Sequence, residues 1–76
     1  MTDLTKDGRV PGLTVDGHVA TLSLRRPARL NRLSRADLFE LLHHCEAIDS
    51  QPDIRVVVLT AETGGQTRPV FSAGYD

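Results

Sequence analysis

Few side chains in this sequence stand at spacings that do chemistry. His43 and His44 are adjacent in the chain. On a helix, neighbours at i and i+1 point in different directions, so a shared metal ion is not expected and both read as surface residues. His18 has no Asp or Cys at ligand spacing and reads as exposed. The single cysteine, Cys45, completes neither a CxxC motif nor an internal disulfide, which suits a reducing cytosol. Gly64-Gly65 lacks the Lys-Ser/Thr that a phosphate-cradling P-loop requires. Arg26 is chemically better suited to a ligand, because a guanidinium fork binds phosphate oxygens bidentately. Ser72 has no base arranged with it and is not read as a nucleophile. Gly74 lets the backbone bend and approach a ligand closely, since it lacks a Cβ.

These residues must be carried by one small domain at most. A chain of 76 residues buries only about 60% of the surface its unfolded form exposes, so stability is expected to be marginal. The apolar fraction of 39% and charged fraction of 25% are those of an ordinary globular chain and argue against disorder throughout. Nine basic against ten acidic residues, a net charge of −1, provide no field for a polyanion, so no nucleic-acid partner is expected. No stretch approaches the roughly 20 apolar residues of a membrane span. Met1 to Gly8 resembles neither a signal peptide nor a transit peptide. A cytoplasmic protein with no metal and no membrane partner is the expectation.

Residues 1–12 are polar, lack periodicity and end in Pro11-Gly12, and read as a mobile leader. Leu13-Thr14-Val15, a turn at Asp16-Gly17, and His18 to Leu24 predict a β-hairpin. Ala20, Leu22 and Leu24 share one face of its second strand. Pro27 ends that strand and opens a loop. Ser34 is placed to cap a helix, with Asp37 completing a capping box. Leu38, Leu41, Leu42, Cys45 and Ile48 then form an apolar stripe, and Pro52 marks the end. The run Ile54 to Thr60 predicts a strand covered on both faces, and helix followed by buried strand predicts a β-α-β crossover. A polar Gly-containing loop over 61–69 precedes Val70-Phe71.

In this order and spacing, Arg26-Pro27, Asn31-Arg32-Leu33-Ser34, Pro52-Asp53-Ile54, Val56-Val57-Val58-Leu59-Thr60 and Phe71-Ser72-Ala73-Gly74-Tyr75-Asp76 resemble the enoyl-CoA hydratase/isomerase (crotonase) family from about Leu13 onward. The resemblance implies an α/β fold, the opening part of a ββα spiral comprising hairpin, helix, buried strand and Gly-rich loop, incomplete. It implies that residues 13–76 are the N-terminal portion of a longer, truncated domain, with the second oxyanion donor and the acid/base carboxylates further along. By family position, the backbone N–H of Tyr75 is one of two donors to a thioester enolate. Arg26, Ala28, Leu30, Ser72, Gly74 and Tyr75 contact coenzyme A, which is part of the substrate; no tightly bound cofactor is implied. Asp76 orients the turn that follows.

The implied partner is an acyl-CoA thioester, and the parent protein assembles as a homotrimer or homohexamer. Two residues depart from the family pattern: Arg32 stands where Ala is usual, beside the cofactor entrance, and Tyr75 stands where Ala is common, narrowing the acyl pocket. The chain alone is expected to be inactive. The alternatives are a small non-catalytic binding or association module derived from the same fold, and a relative with other thioester chemistry, such as a dehalogenase or thioesterase.

Overall fold

The computed structural model describes residues 8–75. Strand β1 (Arg9–Asp16) pairs antiparallel with β2 (Val19–Arg25), helix α1 spans Arg35–Asp49, and β3 (Val56–Ala61) adds to β2 in parallel, giving the order β1-β2-β3. The predicted hairpin and β-α-β crossover are both present. The turn is set one residue later than Asp16-Gly17. Asp16 pairs with Val19, so Gly17 and His18 are the central residues. Gly17 has φ 58 while His18 is not in the positive-φ region, the pattern of a type II′ turn with glycine first.

The first strand begins earlier than expected, at Arg9 rather than Leu13; residues 1–7 of the anticipated leader lie outside the described residues. Pro11 is tolerated because the β1–β2 register shifts between Arg9 and Gly12, and a bulge is where a missing N–H does least harm. The carbonyls of the bulged stretch find side-chain donors. Arg25 gives Nε–H and an Nη2 hydrogen to Val10 O at 2.9 and 2.8 Å, and His44 Nε2 donates to Pro11 O at 2.8 Å. A carbonyl can only accept, so Nε2 carries the proton in this contact.

The core is narrow. Ala20, Leu22 and Leu24 on one face of β2 are buried at 0%, 6% and 3% exposure, and α1 packs over β1 and β2. The helix starts where Ser34 predicts: its side chain accepts from Asp37 N–H while the Asp37 carboxylate accepts from Ser34 N–H. Its buried side differs from the predicted stripe. Leu38 and Leu42 are exposed, as is Cys45, whereas Asp37 is buried and Glu40, Leu41, His44, Ala47 and Ile48 are partly shielded. Two polar anchors turn the helix this way. Asp37 is held by the cap and by Arg26, and His44, expected at the surface, reaches the bulge and lies 3.5 Å from Glu40.

Strand β3 forms where the β-branched run predicts, yet it is not covered on both faces. Val56, Val57, Val58 and Leu59 are between 42% and 53% exposed, because α1 lies over β1 and β2. The strand is nonetheless well anchored at its start, where Arg55 and Val56 N–H both donate to His18 O. His18 itself is exposed, as expected, with Nδ1 2.7 Å from Asp53 O. No helix among the described residues is long and apolar enough to cross a membrane.

Candidate functional site

The loop leaving β2 makes a 3-10 turn over Pro27–Arg29 and then two consecutive left-handed residues, Leu30 (φ 55) and Asn31 (φ 52). Asn is among the residues that tolerate this region; Leu is not, and such strain persists only where the surroundings impose it. Asn31 is what imposes it. At 1% exposure its Oδ1 accepts from Arg26 N–H at 2.8 Å, and its Nδ2 donates to Glu62 O at 2.9 Å and Val70 O at 3.5 Å. One amide thereby ties the loop to the end of β3 and to the far side of the Gly-containing loop. Gln66 adds a second tie, donating to Pro27 O and accepting from Val70 N–H.

The segment Ser72 to Tyr75 is laid against this loop by backbone bonds. Ala73 N–H donates to Leu30 O at 2.8 Å and Leu33 N–H to Gly74 O at 2.9 Å, and Leu33 and Tyr75 form an isolated parallel bridge. The Ser72 hydroxyl donates to Asn31 O at 2.8 Å and accepts from Gly74 N–H at 3.1 Å. Its role in the fold is to pin the motif, in keeping with a side chain that has no base. Gly74 has φ 97, a conformation that disfavours any side chain although the space beside it is open.

Both groups of predicted ligand-contact residues are therefore adjacent. Ala28 and Leu30 are exposed on one strip, and Ser72, Gly74 and Tyr75 form the neighbouring one. Tyr75 N–H donates to no described residue. In the bridge geometry it is Leu33 N–H that meets Gly74 O, which leaves the N–H of Tyr75 directed away from that pairing. A backbone donor that follows a residue bonded through both its N–H and its carbonyl, and that meets no acceptor among the described residues, can stabilise an incoming negative oxygen.

Arg26 differs from expectation. Its Nε–H lies 3.1 and 3.2 Å from the two carboxylate oxygens of Asp37, and its side chain is 21% exposed. The guanidinium expected to hold phosphate is instead turned inward, because the buried Asp37 carboxylate requires a cation. The carbonyl of Gly74, a nominated coenzyme A contact, is likewise engaged by Leu33 N–H. Asp76, read as orienting the next turn, lies outside the described residues. Asn31 entered the sequence reading only as a motif letter; its αL tolerance is legible from residue type, but its partners lie 31 and 39 positions away.

A cleft of about 220 Å³ lies beside Ala28 and Leu30, with Arg29 and Arg32 completing its lining. Among the described residues, no group of three or more His, Cys, Asp or Glu side chains could hold a metal ion.

No model of a known protein family matches the chain. The chain is 38% identical over 61 residues to EchA13 of Mycobacterium tuberculosis, provisionally named an enoyl-CoA hydratase, covering 80% of this chain and 18% of that protein. Its fold matches the crystal structure of an enoyl-CoA hydratase from M. tuberculosis H37Rv with a TM-score of 0.75 and 34% identity, over 90% of this chain and 28% of that one. A methylmalonyl-CoA decarboxylase solved with 2-nitronate-propionyl-CoA matches with a TM-score of 0.73 and 28% identity, over 90% of this chain and 25% of its own. The chain thus spans less than a third of the length of each of these relatives.

Proposed function

We infer the function from the family to which this chain belongs, the enoyl-CoA hydratase/isomerase (crotonase) family: the chain contributes to an acyl-CoA site, and Tyr75 N–H donates to the thioester oxygen as it becomes an enolate. Removing a proton from the carbon next to the thioester carbonyl puts negative charge on that oxygen. A fixed N–H in a site without competing water stabilises the charge, and one such donor is worth roughly 3 to 4 kcal/mol of barrier.

The observation that carries this reading is a Tyr75 N–H without an acceptor among the described residues, directly after Gly74, whose N–H and carbonyl are both bonded. The coenzyme A moiety would run along Ala28 and Leu30, next to Ser72 and Gly74. Enolate stabilisation is the step proposed, and it suits both the hydratase and the decarboxylase names among the relatives. The second donor and the acid/base groups would come from outside these 76 residues, so turnover is not expected of this chain by itself.

The experiment is an amide NMR titration of the chain with a short acyl-CoA thioester and, in parallel, with free coenzyme A. The Tyr75 amide proton should move downfield with the thioester and much less with the thiol. Tyr75→Pro, which deletes the N–H, should weaken binding of the thioester more than that of free coenzyme A. A Tyr75 amide that responds identically to both ligands would overturn the oxyanion assignment.

A further inference from the structure

We propose that the outer edge of β3 is an interaction surface for a second copy of this chain, whose own β3 adds antiparallel about a two-fold axis at Val58 and closes a six-stranded sheet. None of the residues of this surface belongs to the acyl-CoA site proposed above.

The two edges of the sheet differ. On β1, Pro11 supplies no N–H, the register shifts between Arg9 and Gly12, and the carbonyls of Val10 and Pro11 already accept from Arg25 and His44. A proline, a bulge and a charged residue are the features that keep an edge from pairing. Strand β3 has none of them. Val56 to Ala61 contains no charge, proline or glycine. Its register with β2 is unbroken, and it meets no further strand among the described residues. Val56 N–H donates to His18 O and Glu62 N–H to Leu24 O. Alternation along the strand therefore turns the N–H and C=O of Val57 and Leu59 away from β2, toward the open edge.

The strand that fits this edge is β3 itself. A two-fold axis lets one edge serve both copies and closes the assembly, whereas pairing β3 onto β1 of the next copy would build a filament, and the β1 edge is blocked. With Val58 opposite Val58, Val57 of each copy meets Leu59 of the other in a hydrogen-bonded pair, and Val56 meets Thr60. A slip of one residue would set outward backbone groups against inward ones. Moving the axis to Val57 sets Leu59 against Arg55, and moving it to Leu59 sets Val57 against Ala61, each with less apolar contact. Val56, Val57, Val58 and Leu59 are 42% to 53% exposed, and a net charge of −1 gives two copies little to repel. A standard interface takes about 800 Å² from each partner, roughly a seventh of the 5509 Å² surface of this chain. One strand edge supplies less than that, so half-dimerisation is expected at roughly 10 to 100 μM protein.

The test is sedimentation equilibrium of the 76-residue chain from about 5 μM to about 1 mM, which brackets that range, with amide exchange at both extremes. A reversible monomer–dimer equilibrium is expected, and the Val57 and Leu59 amides should be slowed at high concentration more than those of Val56 and Val58. Val58→Lys sets two cations opposite each other and should raise the dissociation constant about tenfold. In a Cys45→Ala background, Val58→Cys should form a disulfide-linked dimer in oxidised glutathione. Non-hydrogen-bonded partners lie about 4.5 Å apart at Cα, within the roughly 4.4 to 6.8 Å that a disulfide spans. Val56→Cys, no less exposed but about 14 Å from its own copy in this register, should not.

A monomer throughout, with fast exchange at Val57 and Leu59, overturns the surface. Slow exchange of those amides in a monomer overturns it too, since a segment of the same chain then covers the edge. Assembly that grows past the dimer with concentration overturns the two-fold closure. A dimer that survives Val58→Lys, or in which Val58→Cys crosslinks no faster than Val56→Cys, overturns the axis at Val58. Amide spectra of the variants, expected to match the parent's outside β3, separate loss of the interface from loss of the fold, and where Val58→Lys does not fold the crosslinking pair decides.

Discussion

At the scale of single residues, Asn31 does most to decide the shape of the site. It adopts a left-handed backbone, is buried, and spends its amide on three backbone partners from three stretches of chain. Asn31→Ala would leave Arg26 N–H and Glu62 O without those partners and would put Ala in a conformation that costs about 1 to 2 kcal/mol. Each orphaned group, only partly shielded here, adds at most the roughly 1 to 3 kcal/mol of a fully buried one. The expected total, with partial rescue by water, is about 2 to 4 kcal/mol, read as the shift in a urea denaturation curve. A loss under about 1 kcal/mol would mean the loop holds its shape by other contacts. The Arg26–Asp37 pair shows how burial reassigns a residue: chemically Arg26 is a good phosphate ligand, but a carboxylate 1% exposed claims it first.

At the scale of elements, α1 is aimed by polar contacts more than by its leucines. Asp37 closes the capping box, pairs with Arg26 and accepts from the Ser34 hydroxyl, while His44 meets the carbonyl left over by the β1 bulge. Loss of a Ser cap ordinarily costs about 1 kcal/mol. Ser34→Ala should cost about 1 to 2 kcal/mol here, since Asp37 also loses a donor. It should be accompanied by faster exchange of the first-turn amides of α1 and of Arg26 N–H. If only the helix amides respond, the cap is not coupled to the loop that bears the site. Strand β3 is positioned by its pairing with β2 and by His18 O, while its Val and Leu side chains remain half-exposed.

For the whole molecule, stability depends on very little buried apolar surface. Only Ala20, Leu22 and Leu24 are buried hydrophobics among the described residues, and all three stand on one face of β2. A buried Leu→Ala change costs about 2 to 5 kcal/mol, which is comparable to the whole margin of a small domain. Leu22→Ala is therefore expected to abolish the cooperative thermal transition seen by circular dichroism. Retention of a sharp transition near the parent's midpoint would place the core elsewhere. The exposed Leu42, Phe39, Val57 and Leu59 contribute little to that margin.

The amino-acid sequence alone determined what depends on neighbours along the chain. The hairpin follows from a glycine between two β-prone runs, although the structure sets its turn one residue later than the sequence suggests, the start of α1 follows from Ser34 and Asp37, and β3 from its β-branched run. The family motifs were legible for the same reason, as ordered local patterns; that the Arg-Pro loop and the Ser72 to Tyr75 segment lie side by side came from the tertiary structure. Tertiary structure alone decided which groups are satisfied and which are left over. It gave the Arg26 guanidinium to Asp37, set Asn31 between Glu62 and Val70, turned His44 to Pro11, and left Tyr75 N–H without an acceptor among the described residues. Hydrogen bonds across 31 or 39 residues leave no periodicity to read, and a free donor can be identified only after every competing acceptor has been placed.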